Sequence, residues 1–474
     1  MSASEAPASP QTHLTTSKRM LTVAILAGVL ATAFEAYAVL TAMPAAAQEL
    51  GAIELYAWAF TAFVIAMAFA TVLAGRASDR IGTVRPLAVG MAAFGIGLLL
   101  AGFSPSMPVL LLLRALQGFG GGLLNVALMV LIADAFDDRE RPALMTAFSF
   151  CWLLPSFIGP PLAAWIAHTL GWRWVFWSTL PILLVAVAFG WRPLARLPRH
   201  DRSVGRMLRP VPLWAAALAA FGVALVQGAG QRLNTSGTAT TGGWPLTAAI
   251  GAGGVVLLGL SVPQLMPAGF ARLATGLPAV PLERACQSGA FTAVESFIPL
   301  ILLDEQHFTL VQAGWVITIG AVGWTLGSWI QSRPWLRLRR DQIILLGSAC
   351  GVLGALILLA GVAIPGAWVG WVAVGHTIAG LGMGLAVAST SLAVMTLSGP
   401  GQLGRNTSSL QVGDALGVAL VTGLAGSVFV ALRQQGNPQL TYGWLVGICL
   451  LCAVGAVGAA VRIGPVRNDS AGVG

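Results

Sequence analysis

Two strongly apolar segments near the N-terminus are joined by the charged stretch Gly75-Arg76-Ala77-Ser78-Asp79-Arg80-Ile81-Gly82-Thr83-Val84-Arg85-Pro86. Asp79 and Arg80 stand where an apolar helix must end, and Gly82 and Pro86 allow the chain to reverse and begin a new helix. A solvated turn between two membrane spans would explain the stretch. A conformational gate would explain it as well, and the choice between the two depends on the rest of the chain.

The composition is that of a membrane protein. Of the 474 residues, 57% are hydrophobic and 9% are charged, whereas about 25% are charged in a typical soluble domain. The 58 Gly and 26 Pro residues fit a polytopic helical protein. The net charge of +9 comes from Arg residues scattered between apolar runs, which indicates membrane topology rather than a nucleic-acid surface.

Apolar runs can cross a membrane when they contain about 20 residues, and the sequence has fourteen such runs in groups of six, two and six. We place them near residues 20–43, 55–74, 87–104, 108–133, 143–168, 174–191, 212–230, 244–266, 284–303, 311–331, 342–362, 367–396, 406–432 and 441–461. The sequence therefore predicts an all-α polytopic membrane protein in which two six-helix bundles flank two extra central helices.

The distribution of basic residues predicts the orientation. With a cytoplasmic N-terminus, all but four of the 26 Lys and Arg residues fall on the cytoplasmic side; Arg173, Arg232 and Arg433 fall outside and Arg114 lies within a span. Because positive charge is retained on the cytoplasmic side, both termini are expected there. The predicted regions are a disordered tail (1–17), a first bundle (18–192), a basic linker with two extra helices (193–282), a second bundle (283–462) and a tail (463–474).

Ionisable residues inside the first bundle are candidates for function, because charge is costly in a membrane. Glu35 lies past the middle of the first span, where a carboxyl group could carry a proton between the two sides. The alternative is a glutamate that only locks helices together. Arg114 keeps its proton, so it would either act on Glu35 or serve as a static anchor. Its helix face also carries Gln117, Gly118, Gly121 and Asn125.

Two further carboxylates lie near the predicted midplane of the second bundle. Glu295 shares a helix face with Arg284, Ser288 and Phe291, and Asp414 lies one turn from Gln411. Two acidic residues at this depth favour a cavity that accepts protons or cationic groups, with packing or water binding as the alternative. The remaining ionisable residue, His376, has a suitable titration range for a functional role, but it stands among Gly and Ala, and we interpret it as a satisfied core residue.

The opening stretch resembles a motif of the major facilitator superfamily. Gly75, Asp79, Arg80 and Gly82 match the pattern G-x-x-x-D-R-x-G-x-[RK], although the last basic position is shifted to Arg85. The resemblance implies the major facilitator fold, and it implies that these five residues form a conformational gate. With fourteen spans, the chain is similar to the drug:proton antiporter branch of that superfamily.

Other motifs support the same resemblance. Residues 34–44 are similar to the branch's first-span motif L-D-x-T-I-V-N-V-A-L-P, with Glu35 in the acidic position. Arg114, Gln117 and Gly118 carry the fourth-span pattern R-x-x-Q-G, to which the resemblance assigns proton transfer. The fifth-span antiporter motif G-x-x-x-G-P-x-x-G-G survives only as Gly159-Pro160. Asp414 stands where the family normally has a small residue, which suggests a cationic substrate or a second proton site.

The resemblance implies a secondary transporter of the bacterial inner membrane that exports drugs or hydrophobic, cationic small molecules by alternating access, driven by protons. Proton coupling is expected at Glu35, Arg114, Asp414 and Glu295, and the substrate cavity is expected to include Tyr37, Gln117, Asn125, Phe291 and Gln411. We find no motif of a soluble enzyme and expect no cofactor or metal, only substrate, protons and the lipid bilayer around a monomer. Export of a lipid-like molecule, or a sensor or scaffold without transport, are the alternatives.

Overall fold

The computed structural model describes residues 10–137, 140–196, 212–235, 243–306, 308–333, 335–364, 370–399, 402–433 and 435–466. Within these residues the chain forms helices α1 (Pro10–Glu49), α2 (Tyr56–Ile81), α3 (Val84–Ala101), α4 (Met107–Ala135), α5 (Arg141–Thr169), α6 (Trp172–Ser178), α7 (Leu180–Ala195), α8 (Leu213–Thr235), α9 (Gly243–Leu265), α10 (Ala279–Gln306), α11 (Leu310–Gln331), α12 (Arg340–Ala363), α13 (Gly370–Leu397), α14 (Leu403–Arg433) and α15 (Pro438–Ile463). Since α6 and α7 together make one span, the described chain has 14 candidate membrane spans. The predicted fold class is confirmed.

The helices form two bundles and a central hairpin. In the N-terminal bundle (α1–α7), α4 packs against α2 and α3, and α1 packs against α5 and α7. In the C-terminal bundle (α10–α15), α13 packs against α11 and α12, and α10 packs against α14 and α15. A single large cluster of buried apolar side chains extends from one bundle into the other. The two bundles therefore share a core, and any central pathway must lie along their contact.

Glycine allows the closest helix contacts in each bundle. A Cβ atom at Gly118 of α4 would lie 2.0 Å from the Phe63 carbonyl oxygen of α2. In the second bundle, a Cβ atom at Gly417 of α14 would lie 2.0 Å from the Ala285 carbonyl oxygen of α10. Van der Waals packing drives helix association in membranes, so these backbone contacts stabilise both bundles.

The charged stretch at residues 75–86 is mostly helical. We predicted a loop there, but α2 continues to Ile81 and α3 begins at Val84, so the reversal occupies only Gly82 and Thr83. Gly82 has φ +80°, a conformation that glycine adopts without strain. Arg80 lies in the last turn of α2, where its positive charge is favourable beside the helix C-terminus. A helix end can thus carry charges that hydropathy alone assigns to a loop.

Two helices begin earlier in the chain than the predicted regions. The tail predicted over residues 1–17 is helical from Pro10 onward, because α1 extends beyond its apolar segment and proline is compatible with a first helical turn; residues 1–9 lie outside the described part. The C-terminal bundle begins at Ala279 rather than at residue 283. Arg284, which we counted among the cytoplasmic basic residues, is therefore buried within a span.

The central hairpin lies along one of the two seams between the bundles. Its helices pack tightly on each other, since a Cβ atom at Gly254 of α9 would lie 2.8 Å from the Gly222 carbonyl oxygen of α8. Helix α8 also packs against α2 of the first bundle and α14 of the second. On the opposite seam, α5 packs directly against α11. The hairpin therefore bridges both bundles along the α2–α14 seam.

Candidate functional site

A buried ion pair lies at the centre of the N-terminal bundle. The Arg114 guanidinium of α4 donates through Nη1 to Oε1 of Glu35 on α1. The side chain of Glu35 is 0% exposed and that of Arg114 is 4% exposed. A buried ion pair is worthwhile only when further hydrogen bonds satisfy both groups, so the surrounding contacts decide what this pair can do.

Arg114 is held on several sides. Its Nε donates to the Ala59 carbonyl oxygen at 3.0 Å, and its Nη1 also donates to Oε1 of Gln117 at 2.5 Å. Gln117 in turn donates to the Gly97 carbonyl oxygen at 2.9 Å. The ring of Phe63 lies 4.4 Å from the guanidinium carbon, within cation–π range. These contacts link α4 to α2 and α3, and they fix the cation independently of Glu35.

Glu35 is less fully satisfied than its partner. Its Oε2 atom is buried and has no hydrogen-bond partner among the described residues. Arg114 would keep its contacts to Ala59, Gln117 and Phe63 if Glu35 became neutral. The arrangement can therefore bind a proton on one carboxylate without dismantling the site around it.

The surviving part of the antiporter motif lies between the two bundles. Gly159 of α5 faces α1, where a Cβ atom on it would lie 3.3 Å from Cβ of the half-buried Tyr37. The neighbouring Pro160 faces the other bundle, because a Cβ atom at Gly314 of α11 would lie 2.9 Å from the Pro160 carbonyl oxygen. Thr318 of α11 also donates to the Phe157 carbonyl oxygen at 3.2 Å. The motif thus positions α5 against both α1 and α11.

In the C-terminal bundle, Asp414 of α14 forms a second polar site with α10. Ser288 Oγ donates to Asp414 Oδ1 at 2.5 Å, and Arg284 Nε lies 3.8 Å from the same oxygen. Arg284 is anchored elsewhere by Nη2, which donates to the Val387 carbonyl oxygen at 2.7 Å and lies 3.2 Å from Ser391 Oγ. The Asp414 side chain is 36% exposed. It therefore differs from Glu35 in remaining accessible.

Glu295 and Phe291 take part in a separate group. Glu295 Oε1 lies 3.9 Å from Nε2 of His376, and the Phe291 ring stacks on the imidazole of His376. Phe291 also meets Trp324 edge-on. Our interpretation of His376 as a satisfied core residue is wrong, because neither of its ring nitrogens has a hydrogen-bond partner in the described part of the chain.

The remaining predicted residues are spread over the molecule. Asn125 is half-buried on α4, and Gln411 is exposed one turn before Asp414. Of the predicted gate, Gly75 is half-buried while Arg80 and Arg85 are exposed at the end of α2 and the start of α3. The side chain of Asp79 lies outside the described residues.

One buried carboxylate escaped the sequence analysis. Glu283 of α10 is fully buried, and Ser348 Oγ donates to its Oε1 at 2.8 Å. Hydropathy placed the start of this span at residue 284, which left Glu283 in a predicted linker. The signal that could have found it is the four-residue spacing of Glu283 and Gln287, which puts a carboxylate and an amide on one helix face.

A comparison with family models fits this architecture. The model described as Major Facilitator Superfamily matches residues 25–280, more than half of the chain. The chain belongs to the major facilitator superfamily. The match covers the N-terminal bundle and the central hairpin, where the Glu35–Arg114 pair and the charged turn lie.

Relatives of this major facilitator chain include multidrug transporters. Multidrug transporter protein MdtP of Bacillus subtilis is 32% identical over 174 residues, which cover 36% of this chain and only 32% of MdtP. A probable multidrug-efflux transporter of Mycobacterium tuberculosis is 25% identical over 447 residues, which cover 92% of each chain. The predicted resemblance to the drug-efflux branch is confirmed by these similarities.

Solved structures support the fold. A peptide transporter POT in complex with sulfate has a TM-score of 0.66 at 16% identity, covering 94% of this chain and 95% of that one. The human organic anion transporter MFSD10 has a TM-score of 0.57 at 15% identity, covering 95% and 100% of the two chains. At these identities the likeness concerns architecture alone. The chain is thus a multi-pass membrane protein of the major facilitator superfamily.

Proposed function

We propose that this transporter is a proton-coupled exporter of drugs or hydrophobic, cationic small molecules. It works as a monomer in the bacterial inner membrane by alternating access, with inward proton movement driving outward movement of the compound. The Glu35–Arg114 pair carries this proposal. An ionisable residue buried in a span is energetically costly, and such residues therefore mark functional sites. The names of the multidrug relatives support the substrate class.

Proton coupling follows from the asymmetry of the pair. Arg114 cannot release its proton under physiological conditions, so Glu35 is the group that changes charge. When Glu35 is ionised, its charge balances that of Arg114; when it binds a proton, a buried positive charge is left unbalanced. A change in the packing of α1 against α4 would relieve that imbalance. Protonation is thereby linked to a helix rearrangement.

We interpret the structure as an inward-facing arrangement. The direct polar contacts between the bundles in the described chain lie toward the outer ends of the helices. Tyr56, at the outer start of α2, donates to the Ser296 carbonyl oxygen at 2.5 Å and meets the Phe297 ring at a centroid distance of 5.3 Å. The Thr318–Phe157 bond lies on the opposite seam and deeper in the helices. Outward opening would have to break these contacts.

In the same scheme the charged turn acts as a cytoplasmic gate. Arg80 and Arg85 are exposed in this structure, as expected for a gate that is open on the cytoplasmic side. Closure of that side would bring the helix ends together, where Asp79 and Arg80 could pair with neighbouring helix ends. Gly82 provides the tight reversal that keeps the two helix ends close.

The accessible carboxylate in the second bundle favours cationic substrates. Asp414 is 36% exposed and its nearest cation, Arg284, is engaged with Val387 and Ser391. Glu295 contributes a second partly accessible carboxylate at 16% exposure. A cationic group could pair with either one when the central pathway is open.

The proposal is tested in proteoliposomes whose lumen is more acidic than the medium, with ethidium as the cationic probe. Wild-type protein oriented with its cytoplasmic side outward should accumulate ethidium, and nigericin should abolish accumulation by collapsing the gradient. Glu35→Gln should lose accumulation while remaining folded. Glu49→Gln is the matched control, because Glu49 lies on the same helix but is exposed and paired with Arg173. Undiminished gradient-driven uptake by Glu35→Gln would refute the assignment of Glu35.

The packing does not favour lipid export. That alternative depends on the extra helices enlarging a lateral opening, but α8 packs against both α2 and α14 and covers their seam. Transport of a fluorescent phospholipid without any response to ethidium would nevertheless support it over drug export. A sensor or scaffold without transport would leave both probes unmoved.

A further inference from the structure

His376 occupies an unusual position in the C-terminal bundle. The residue is 1% exposed, its Nε2 lies 3.9 Å from Glu295 Oε1, and its two ring nitrogens have no hydrogen-bond partner among the described residues. Buried polar atoms are nearly always hydrogen-bonded. An unpartnered imidazole next to a carboxylate therefore requires an explanation beyond packing.

The imidazole ring is held in place by its neighbours. The Phe291 ring stacks on it at 12° with a centroid distance of 5.1 Å. On the side of α11, a Cβ atom at Gly320 would lie 1.9 Å from His376 Cδ2, so the ring occupies space that only glycine leaves. A stacked aromatic face also suits a cation, because the ring quadrupole attracts positive charge. The Phe291 ring thus offsets part of the cost of placing a charged imidazole in a buried site.

A small cavity adjoins the ring. It encloses about 20 Å³ and is lined by His376, Gln287 and otherwise mainly apolar residues. Gln287 donates to the Gly347 carbonyl oxygen at 3.3 Å, but its buried Oε1 has no partner among the described residues. A cavity needs about 10–15 Å³ and polar partners to hold one water molecule. The His376 ring and the Gln287 carbonyl group provide such partners.

Glu295 is the charged group that faces His376 among the residues described. The helices packed around the ring contribute Gly320 and Trp324 from α11 and the thiol of Cys449 from α15, which shares the cavity. Cys350 of α12 lies instead against Gly382. Tyr37 of α1 also interacts electrostatically with Glu295, but a phenol keeps its proton at neutral pH. The proton balance of the site is therefore set by one carboxylate and one imidazole.

We propose that Glu295, His376 and one water molecule held between His376 and Gln287 form a second proton-binding site, separate from Glu35 and Arg114. Without a proton the site carries the single negative charge of Glu295. With one proton it is neutral overall, whether the proton is on the carboxylate or on the imidazole, so the proton belongs to the pair. Glu295, the more exposed member, exchanges the proton with the central pathway, and His376 stabilises it from the buried side.

The role of this site in transport depends on the proposed proton-coupled function, but its existence does not. The site gives the C-terminal bundle its own protonation step. Neutralisation removes the negative charge of Glu295 from the pathway, so it would release a cationic substrate bound near that carboxylate. The first bundle and the second bundle would then each respond to a proton.

The site is tested by NMR on full-length protein labelled with ¹⁵N at its histidine rings, in nanodiscs, between pH 5 and pH 9. Comparison with His376→Gln identifies the His376 signals. We expect them to change with pH and to change at a pH about one unit lower in Glu295→Gln, because removing a nearby opposite charge disfavours the charged imidazole. The exposed His168 is the internal control, and its signals should be the same in both proteins at every pH. No transport is needed for this measurement, so its failure is distinct from failure of the proposed function.

A His376 signal that is unchanged over the whole pH range, or that changes at the same pH in wild type and Glu295→Gln, would overturn the proposal. Gln287→Leu tests the water separately, since leucine has similar volume but cannot bind it. We expect this variant to alter the ring-nitrogen shifts of His376 while leaving those of His168 in place. Identical His376 shifts in wild type and Gln287→Leu would exclude the bridging water.

Discussion

Replacing the buried Arg114 by methionine should destabilise the protein far more than replacing an exposed arginine would. The substitution leaves Glu35 buried without its cation and removes the donors to Ala59 and Gln117. Breaking a buried ion pair by removing one partner costs about 3–5 kcal/mol. Glu35→Leu should cost a similar amount, because it leaves the Arg114 charge unpaired.

The double variant Glu35→Leu/Arg114→Met distinguishes a true pair from two independent residues. If the effects were additive, the loss would be about 6–10 kcal/mol, the sum of two such penalties. Apolar replacement of both members of a buried pair is often neutral. The Ala59 carbonyl oxygen and Gln117 Oε1 lose their donor, however, and each unsatisfied acceptor lowers the stability by about 1–3 kcal/mol. We therefore expect a net loss well below the sum of the single losses, with a coupling energy of about 3 kcal/mol.

The free energies of unfolding can be measured by SDS titration in mixed micelles, followed by the fluorescence of the 16 Trp residues. Wild type, both single variants and the double variant complete the cycle. Additive losses would refute the energetic coupling of Glu35 and Arg114. The double variant should also be folded yet inactive in gradient-driven ethidium uptake, and persistence of that uptake would refute the role of the pair in proton coupling.

Three further variants probe the helix contacts and the gate. In the same SDS titration, Gly118→Ala should destabilise the fold by about 1–3 kcal/mol through overpacking, because its Cβ would lie 2.0 Å from the Phe63 carbonyl oxygen. Gly121→Ala is the control and should be nearly neutral, because its Cβ would lie 3.6 Å from the Phe63 ring. Tyr56→Phe removes the hydrogen bond to the Ser296 carbonyl oxygen and should favour outward opening. Cysteines placed at the outer ends of the helices should then be labelled more strongly by a thiol reagent. Unchanged labelling would contradict an outer closure at Tyr56. Asp79→Asn should slow ethidium turnover at least tenfold while leaving equilibrium ethidium binding intact, and normal turnover would mean that the stretch at residues 75–86 is only a turn.

The sequence was sufficient to predict the number of spans and the main polar pair. Membrane spans follow from length and hydropathy, which depend on local composition. Glu35 and Arg114 were identifiable because charges in a span are rare, and both lie inside predicted spans. Their direct contact, however, required the packing of α1 against α4, which no local pattern specifies.

The errors share one physical cause. Hydropathy treats a charge as the end of a span, yet Glu283 and Arg284 lie inside α10, where Ser348, Val387 and Ser391 form hydrogen bonds with them. The same bias ended α2 before its charged last turn. Interactions between distant segments compensate these charges, so a window of neighbouring residues cannot register them.

His376 shows the opposite error. Its apolar neighbours in sequence suggested a core residue without a chemical role. In the structure, its surroundings are formed by Glu295, Phe291 and Gly320 from two other helices. A residue's chemical role in a helical bundle depends on which faces meet. That information enters only with the tertiary structure.

The position of the central hairpin makes the two sides of the transporter unequal toward lipid. On the α2–α14 side, helix α8 separates the seam from the acyl chains. On the α5–α11 side, apolar side chains such as Leu154, Ile158, Trp315 and Ile319 are exposed and would contact lipid directly. A compound dissolved in the bilayer would therefore reach the junction of the two bundles from the α5–α11 side, and annular lipids would contact α5 and α11 more directly than they contact the shielded α2 and α14.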